Sequence, residues 1–254
     1  MRLGIIQGRL SEPVNGHIQE FPFQTWKNEF TMATKLGLTH IEWLITENSY
    51  RDNPFFYKDL SSYSINTICC DHLIHQEIED LTFLRENLIE VADRALDNKI
   101  PSITIPILEK SSMVDGYRRR LFIDSMLEFK SEYPSLDFIF EPELDIDGIK
   151  EIVESDDKFF ITYDTGNITS FNNQHEEFVK SLLSKIKNVH IKDRKDDKTV
   201  EPFTGDTDFN LIFKLLKNNY FGNYTLQVAR SVPGEEYKYI ESIKTKFETY
   251  YESI

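Results

Sequence analysis

The apolar positions of this chain switch repeatedly between the alternation of a strand and the wider spacing of a helix face. Short apolar or alternating runs at 3–7, 40–45, 65–71, 103–106, 136–141, 159–164, 188–193 and 224–229 predict strands. Between them, apolar residues recur at helical spacing. Trp26, Phe30 and Ala33 lead to a stop at Gly37, and Phe55, Phe56 and Leu60 follow the second strand. Leu84, Leu88, Val91, Ala92 and Ala95 form the clearest stripe. Leu121, Met126 and Phe129 make another, then Phe178, Leu182 and Ile186, then Phe209, Ile212, Phe213 and Leu216, with further helices near 145–155 and 235–252. Strict alternation of short apolar strands with helices predicts a parallel sheet covered by helices. Eight such units, with no low-complexity linker, favour a single-domain α/β structure over 1–254, a closed (β/α)8 barrel rather than an open doubly wound sheet. No glycine-rich dinucleotide or phosphate-loop fingerprint follows any strand.

The polar residues at the strand ends carry the chemistry. Val189 and Ile191 alternate with Asn188, His190 and Lys192, a strand with one polar face. Glu141, Asp164, His190 and Gln227 fall at the ends of the last four strands, which in a barrel converge on the face where catalytic residues sit. Taken singly, each is explained as a helix cap or a solvated strand end. Together they predict one shared site. Three oxygen donors and an imidazole suit one divalent metal ion such as Mn²⁺, Mg²⁺, Co²⁺ or Zn²⁺. Arg9, Lys192, Arg194 and Arg230 also lie at strand ends, fit to hold a phosphate or, equally, to form ordinary ion pairs. Gly205, Asp206, Thr207 and Asp208 precede a helix, as an anion-binding turn or simply with Asp208 as the N-cap. Glu42 and Asp71 end the second and third strands, suited to contact a polyol or orient a ligand, and His72 and His75 follow as substrate contacts or solvated loop residues. His17, His40 and His175 have no recurring context.

Composition narrows the partners. A net charge of −14, from 43 acidic and 29 basic residues, argues against general affinity for nucleic acid or anionic membranes. Cys69 and Cys70 are adjacent, so no long-range disulfide can form within the chain, and reduced thiols fit a cytoplasmic protein. The apolar run at the start is too short for a signal peptide, and no stretch is long enough to span a bilayer. A soluble protein acting on a small molecule is expected, as a monomer or a homo-oligomer.

The residues Gly4 to Leu10, Trp26 to Trp43, Cys69-Cys70-Asp71, Tyr163-Asp164-Thr165-Gly166-Asn167 and His190-Ile191-Lys192-Asp193-Arg194 resemble the xylose isomerase-like TIM barrel superfamily, in particular its sugar-phosphate isomerase/epimerase members. The likeness spans almost the whole chain, though its motifs do not specify one substrate. It implies a metal held by Glu141, Asp164 and His190, with Glu141 also moving the substrate proton. Asn167 and Asp193, with Arg9, Glu42, Asp71, His72, Lys192, Arg194 and Arg230, are the candidates to bind a sugar or sugar-phosphate substrate. The fourth ligand of the family is usually a Glu on strand eight, where this chain has Gln227. An amide oxygen can still coordinate a cation, but it adds no charge and accepts no proton near neutrality. Epimerisation with two bases loses one of them; isomerisation with a single shuttling base does not. The alternatives are a silent sugar-phosphate-binding barrel and an inosose-dehydratase-like lyase. Endonuclease IV-like DNA repair is disfavoured by Asn167, where a further histidine is expected, and by the negative charge.

Overall fold

The computed structural model describes residues 1–171 and 174–254. Its strands are β1 (Arg2–Ile6), β2 (Ile41–Leu44), β3 (Ile65–Cys69), β4 (Ser102–Ile107), β5 (Asp137–Pro142), β6 (Phe159–Asp164), β7 (Ile186–Ile191), β8 (Asp193–Lys195), β9 (Lys198–Val200) and β10 (Asn223–Leu226). Eight of them close into a barrel in the order β1-β10-β7-β6-β5-β4-β3-β2, and β8 and β9 form a separate antiparallel pair. The helices are α1 (Trp26–Lys35), α2 (Leu81–Asp97), α3 (Gly116–Glu132), α4 (Ile146–Val153), α5 (Thr165–Phe171), α6 (His175–Leu182), α7 (Phe209–Leu216) and α8 (Glu236–Ser253). The α/β barrel expected from the sequence is therefore the fold. By internal contacts the chain divides into two compact units, Glu42–Thr162 and Met1–Ile41 with Tyr163–Ile254.

Within Glu42–Thr162, β3, β4, β5 and the start of β6 run parallel, with Ile103 opposite Ile68 and Phe138, and Phe138 opposite Phe159. The helices begin at carboxylate caps: Asp80 accepts from the Phe83 N–H, Asp115 from Tyr117 and Arg118, and Asp145 from Gly148. The predicted stripe of α2 is buried throughout, from Leu84 to Ala95. Phe122, Phe129, Phe138, Phe140 and Phe159 pack edge to face as the apolar filling against β5.

In the other unit, β10 lies between β1 and β7, with Thr225 opposite both Gly4 and His190. The Thr225 hydroxyl donates to Asn188 Oδ1 (2.9 Å) and lies 3.3 Å from His40 Nε2. A Cβ on Gly4 would stand 2.3 Å from the His40 ring, so only glycine leaves room for that imidazole. Phe209, Ile212, Phe213 and Leu216 of α7 are buried, as are Ile240, Ile243 and Phe247 of α8.

Two local expectations are corrected, and two elements add to the predicted set. Phe55 and Leu60 are buried, but the chain around them forms only a 3-10 turn, Pro54–Phe56, capped by the Asn53 side chain. Both side chains anchor irregular chain, and the Leu60 N–H is taken by Asn98 Oδ1 at 2.6 Å. Ile186 belongs to β7, because α6 stops at Leu182 and a 3-10 turn intervenes. Directly after Asp164 the chain enters α5, a helix too short to show an apolar period. The charged stretch after β7 is the β8–β9 hairpin, whose turn residues Asp196 and Asp197 both have positive φ, 48° and 57°. That is the geometry of a tight hairpin turn that matches strand twist, and Asp tolerates it.

Candidate functional site

Asp164 is the last residue of β6 and is buried. One of its oxygens, Oδ1, accepts from the Asn167 N–H at 2.8 Å, the bond of a capping carboxylate at the start of α5. The other, Oδ2, lies 3.2 Å from Lys192 Nζ and 3.9 Å from His190 Nδ1. Lys192 also donates to Asn167 Oδ1 at 3.1 Å. Burial alone would raise the Asp164 pKa, but Lys192, His190 and the Asn167 N–H together hold the carboxyl well below the usual carboxylate range.

Thr165 fixes this arrangement to β7. Its hydroxyl donates to the Lys192 carbonyl (2.6 Å) and accepts from the Lys192 N–H (3.0 Å). Gly166 lets the Lys192 stem lie against α5, since a Cβ there would stand 2.7 Å from Lys192 Cγ. Behind it, His175 lies 2.6 Å from the Tyr163 hydroxyl and 3.0 Å from that of Thr169. Burial lowers the His175 pKa to about 4, so this imidazole is a neutral brace.

His190 is fully buried on β7. The pairing of Thr225 with His190 and of Leu226 with Ile191 puts Thr225 and Gln227 on the His190 face, with Gln227 beside Lys192. The Gln227 Nε2 donates to Gln19 Oε1 at 3.3 Å, whereas its Oε1 is buried with no hydrogen-bond partner among the described residues. Glu141 is buried in β5. Glu141, Asp164 and His190 each offer a ligand atom within 4.8 Å of the others. Two carboxylates, an imidazole and an amide oxygen without a partner fit a divalent cation by donor type and charge.

The remaining expected residues divide. Lys192 and Asn167 stand at Asp164, as described. Arg9 is buried and donates to the carbonyls of Val228 (2.8 Å) and Ile18 (2.6 Å) and to Gln19 Oε1 (3.4 Å). Arg230 donates to the carbonyls of Ile18 (2.8 Å), Ser11 (3.1 Å) and Gly8. Both guanidinium groups thus bind backbone of the segment after β1, and Arg230 Nη2 is buried without a hydrogen-bond partner among the described residues. Asp193 is buried and accepts from the N–H groups of Arg194, Thr204, Gly205 and Thr207 at 2.8–3.1 Å. It is therefore the anion held by the turn at 205–208, and Asp208 caps α7 through the Leu211 N–H. Arg194 reaches outward to Ser170 and Thr199. The N–H bonds to Asp193 occupy both of its carboxylate oxygens.

Glu42 is buried in β2, and Asp71 is half-buried at the start of a 3-10 turn, Asp71–Leu73. His72 in the same turn is buried beside Tyr50, its ring nitrogens without hydrogen-bond partners among the described residues. It lines a cavity of about 300 Å³ with Glu47, Tyr50, Arg51 and Gln76, and burial lowers its pKa to about 4.

Two residues at this end of β1 escaped the sequence reading. Gln19, in a polar loop, left no signal. Glu29 did leave one, a charge on the buried stripe of α1 between Trp26 and Ala33. Its carboxylate accepts from the N–H groups of Gly8 and Leu10, both at 3.0 Å.

No protein-family profile matches the sequence. A curated inosose dehydratase from Clostridium perfringens is 25% identical over 108 residues, 35% of this chain and 36% of that enzyme. Solved structures match over nearly the whole chain. The IOLI protein with a bound zinc atom aligns with a TM-score of 0.71 and 16% identity, over 98% of this chain and 96% of its own. D-psicose 3-epimerase with D-tagatose, from Clostridium cellulolyticum, gives 0.71 and 13%, over 98% and 99%. A sugar phosphate isomerase/epimerase from Parabacteroides distasonis gives 0.70 and 11%, over 98% of both chains. The fold is thus shared with these solved structures over nearly the whole chain.

Proposed function

We propose that this chain is a divalent-metal-dependent isomerase or epimerase of a small sugar. The observation that carries the reading is the buried set of Glu141, Asp164 and His190, whose ligand atoms lie within 4.8 Å of one another. The orphan Gln227 Oε1 on the His190 face supports a fourth donor. Mn²⁺, Mg²⁺, Co²⁺ and Zn²⁺ all accept such donors. A divalent ion bound there supplies Lewis-acid polarisation of a substrate carbonyl.

Glu141 is the group assigned to the proton. Its carboxylate takes the proton from the carbon beside the carbonyl, and the C–H electron pair moves toward the carbonyl oxygen. Return of that proton to the former carbonyl carbon, with the neighbouring hydroxyl proton passing to the former carbonyl oxygen, gives the aldose–ketose isomer. Lys192 and the Asn167 N–H keep Asp164 ionised. Gln227 carries no acid–base group to return a proton from an opposite face, which favours a one-base isomerisation over a two-base epimerisation. The engagement of Arg9 and Arg230 with backbone carbonyls favours an unphosphorylated substrate.

A second reading, a lyase expelling a hydroxyl next to the abstracted carbon, is favoured by the partial match to inosose dehydratase. Solvent-deuterium incorporation across free and phosphorylated pentuloses, hexuloses and inososes separates them. The expected result is deuterium beside the carbonyl of a free sugar, with no loss of water, abolished in Glu141→Gln. Dehydrated product would replace the isomerase with the lyase. Full exchange in Glu141→Gln would overturn the assigned base.

A further inference from the structure

We infer that Gln19 is a positioning residue that fixes the rotation of the Gln227 amide, so that its oxygen rather than its nitrogen is left for the Asp164–His190 site. The inference rests on the reading of that site as a metal centre. The two ends of an amide have nearly the same shape, so only their hydrogen-bond partners decide which way each one turns. Here the order is forced by a group that can only donate. Arg9 Nη2 lies 3.4 Å from Gln19, and the atom facing a guanidinium must be the acceptor Oε1. That same oxygen lies 3.3 Å from the Gln227 amide, whose facing atom must then be the donor Nε2. Gln227 Oε1 is what remains, buried and without a hydrogen-bond partner among the described residues.

The brace is itself held firmly. Arg9 and Arg230 both donate to the carbonyl of Ile18, the residue before Gln19, and Arg9 also ties the segment to Val228, the residue after Gln227. Strand register puts the Gln227 side chain on the face of His190 and next to Lys192. A flipped amide would present an NH₂ group there, which cannot bind a cation. The polarity of the Gln19 side chain therefore controls which end of the Gln227 amide is left for the site.

Mn²⁺ and Zn²⁺ titrations of metal-free protein, followed by calorimetry, test this. The variants are Gln19→Glu, Gln19→Leu, Gln19→Lys, Gln227→Leu and His190→Ala, with thermal melts confirming that each is folded. Gln19→Glu keeps the acceptor and should bind like the natural protein. Gln19→Lys offers a donor, which turns the Gln227 oxygen toward itself. It should weaken binding as much as Gln227→Leu does, roughly tenfold, with Gln19→Leu in between. Unchanged affinity in Gln19→Lys beside a weakened Gln227→Leu overturns the positioning role alone. Unchanged affinity in Gln227→Leu with loss in His190→Ala removes Gln227 from the ligand set and the inference with it. No effect in any variant, His190→Ala included, overturns the metal-centre reading itself.

Discussion

At the scale of single residues, close approach inside the barrel leaves little freedom. The His40 ring is held between Thr39 and Thr225, at 2.9 and 3.3 Å, so it cannot swing away from a methyl group on Gly4. Gly4→Ala should therefore destabilise the protein by roughly 1–3 kcal/mol, the usual cost of overpacking. Chemical denaturation checks it, and unchanged stability would mean the ring moves freely. Residue type alone pointed to Glu141, Asp164 and His190, whose ligand atoms lie within 4.8 Å of one another, because donor-type side chains at successive strand ends are uncommon in a purely structural strand. The surroundings of Asp193 were not legible, for the opposite reason. Its partners, the N–H groups of Thr204, Gly205 and Thr207, are brought to it by a loop whose course no local pattern reveals. His40 and His175 likewise take their meaning from tertiary neighbours, as buried braces.

At the scale of elements, α1 carries the least expected feature, a carboxyl on its buried face. Burial raises the Glu29 pKa to about 7, although the Gly8 and Leu10 N–H groups, the Ser11 side chain and Arg230 all oppose it. An unfolded Glu ionises near its ordinary value of 4.5. Between that value and about 7 the folded chain binds more protons than the unfolded one, so this group's contribution to stability falls as pH rises through that window. Glu29→Gln removes the titration. Its stability relative to the natural protein should rise by roughly 3 kcal/mol across the window and level off above it. Denaturation curves of both proteins at several pH values measure this, and a constant difference would contradict it. The long helices were legible because each repeats its period several times, and the barrel strands because short apolar runs recur between the helices. The exceptions were short or governed by geometry: the Pro54–Phe56 turn, α5, and the hairpin set by two left-handed aspartates.

At the scale of the whole molecule, the alternation of strands and helices specified the barrel, and the likeness of solved structures at TM-scores near 0.7 agrees with it. Among the described residues no helix is long and apolar enough to cross a membrane. Chemistry is a separate matter, since one barrel serves many reactions and only the site can assign one. The central claim is that Glu141, Asp164 and His190 hold one divalent cation. Metal analysis of the purified chain, stripped and reloaded, tests it most directly, with His190→Ala as the comparison. The account requires one ion per chain in the natural protein and a large loss in the variant. Equal metal content in the two proteins, or none in either, would contradict it.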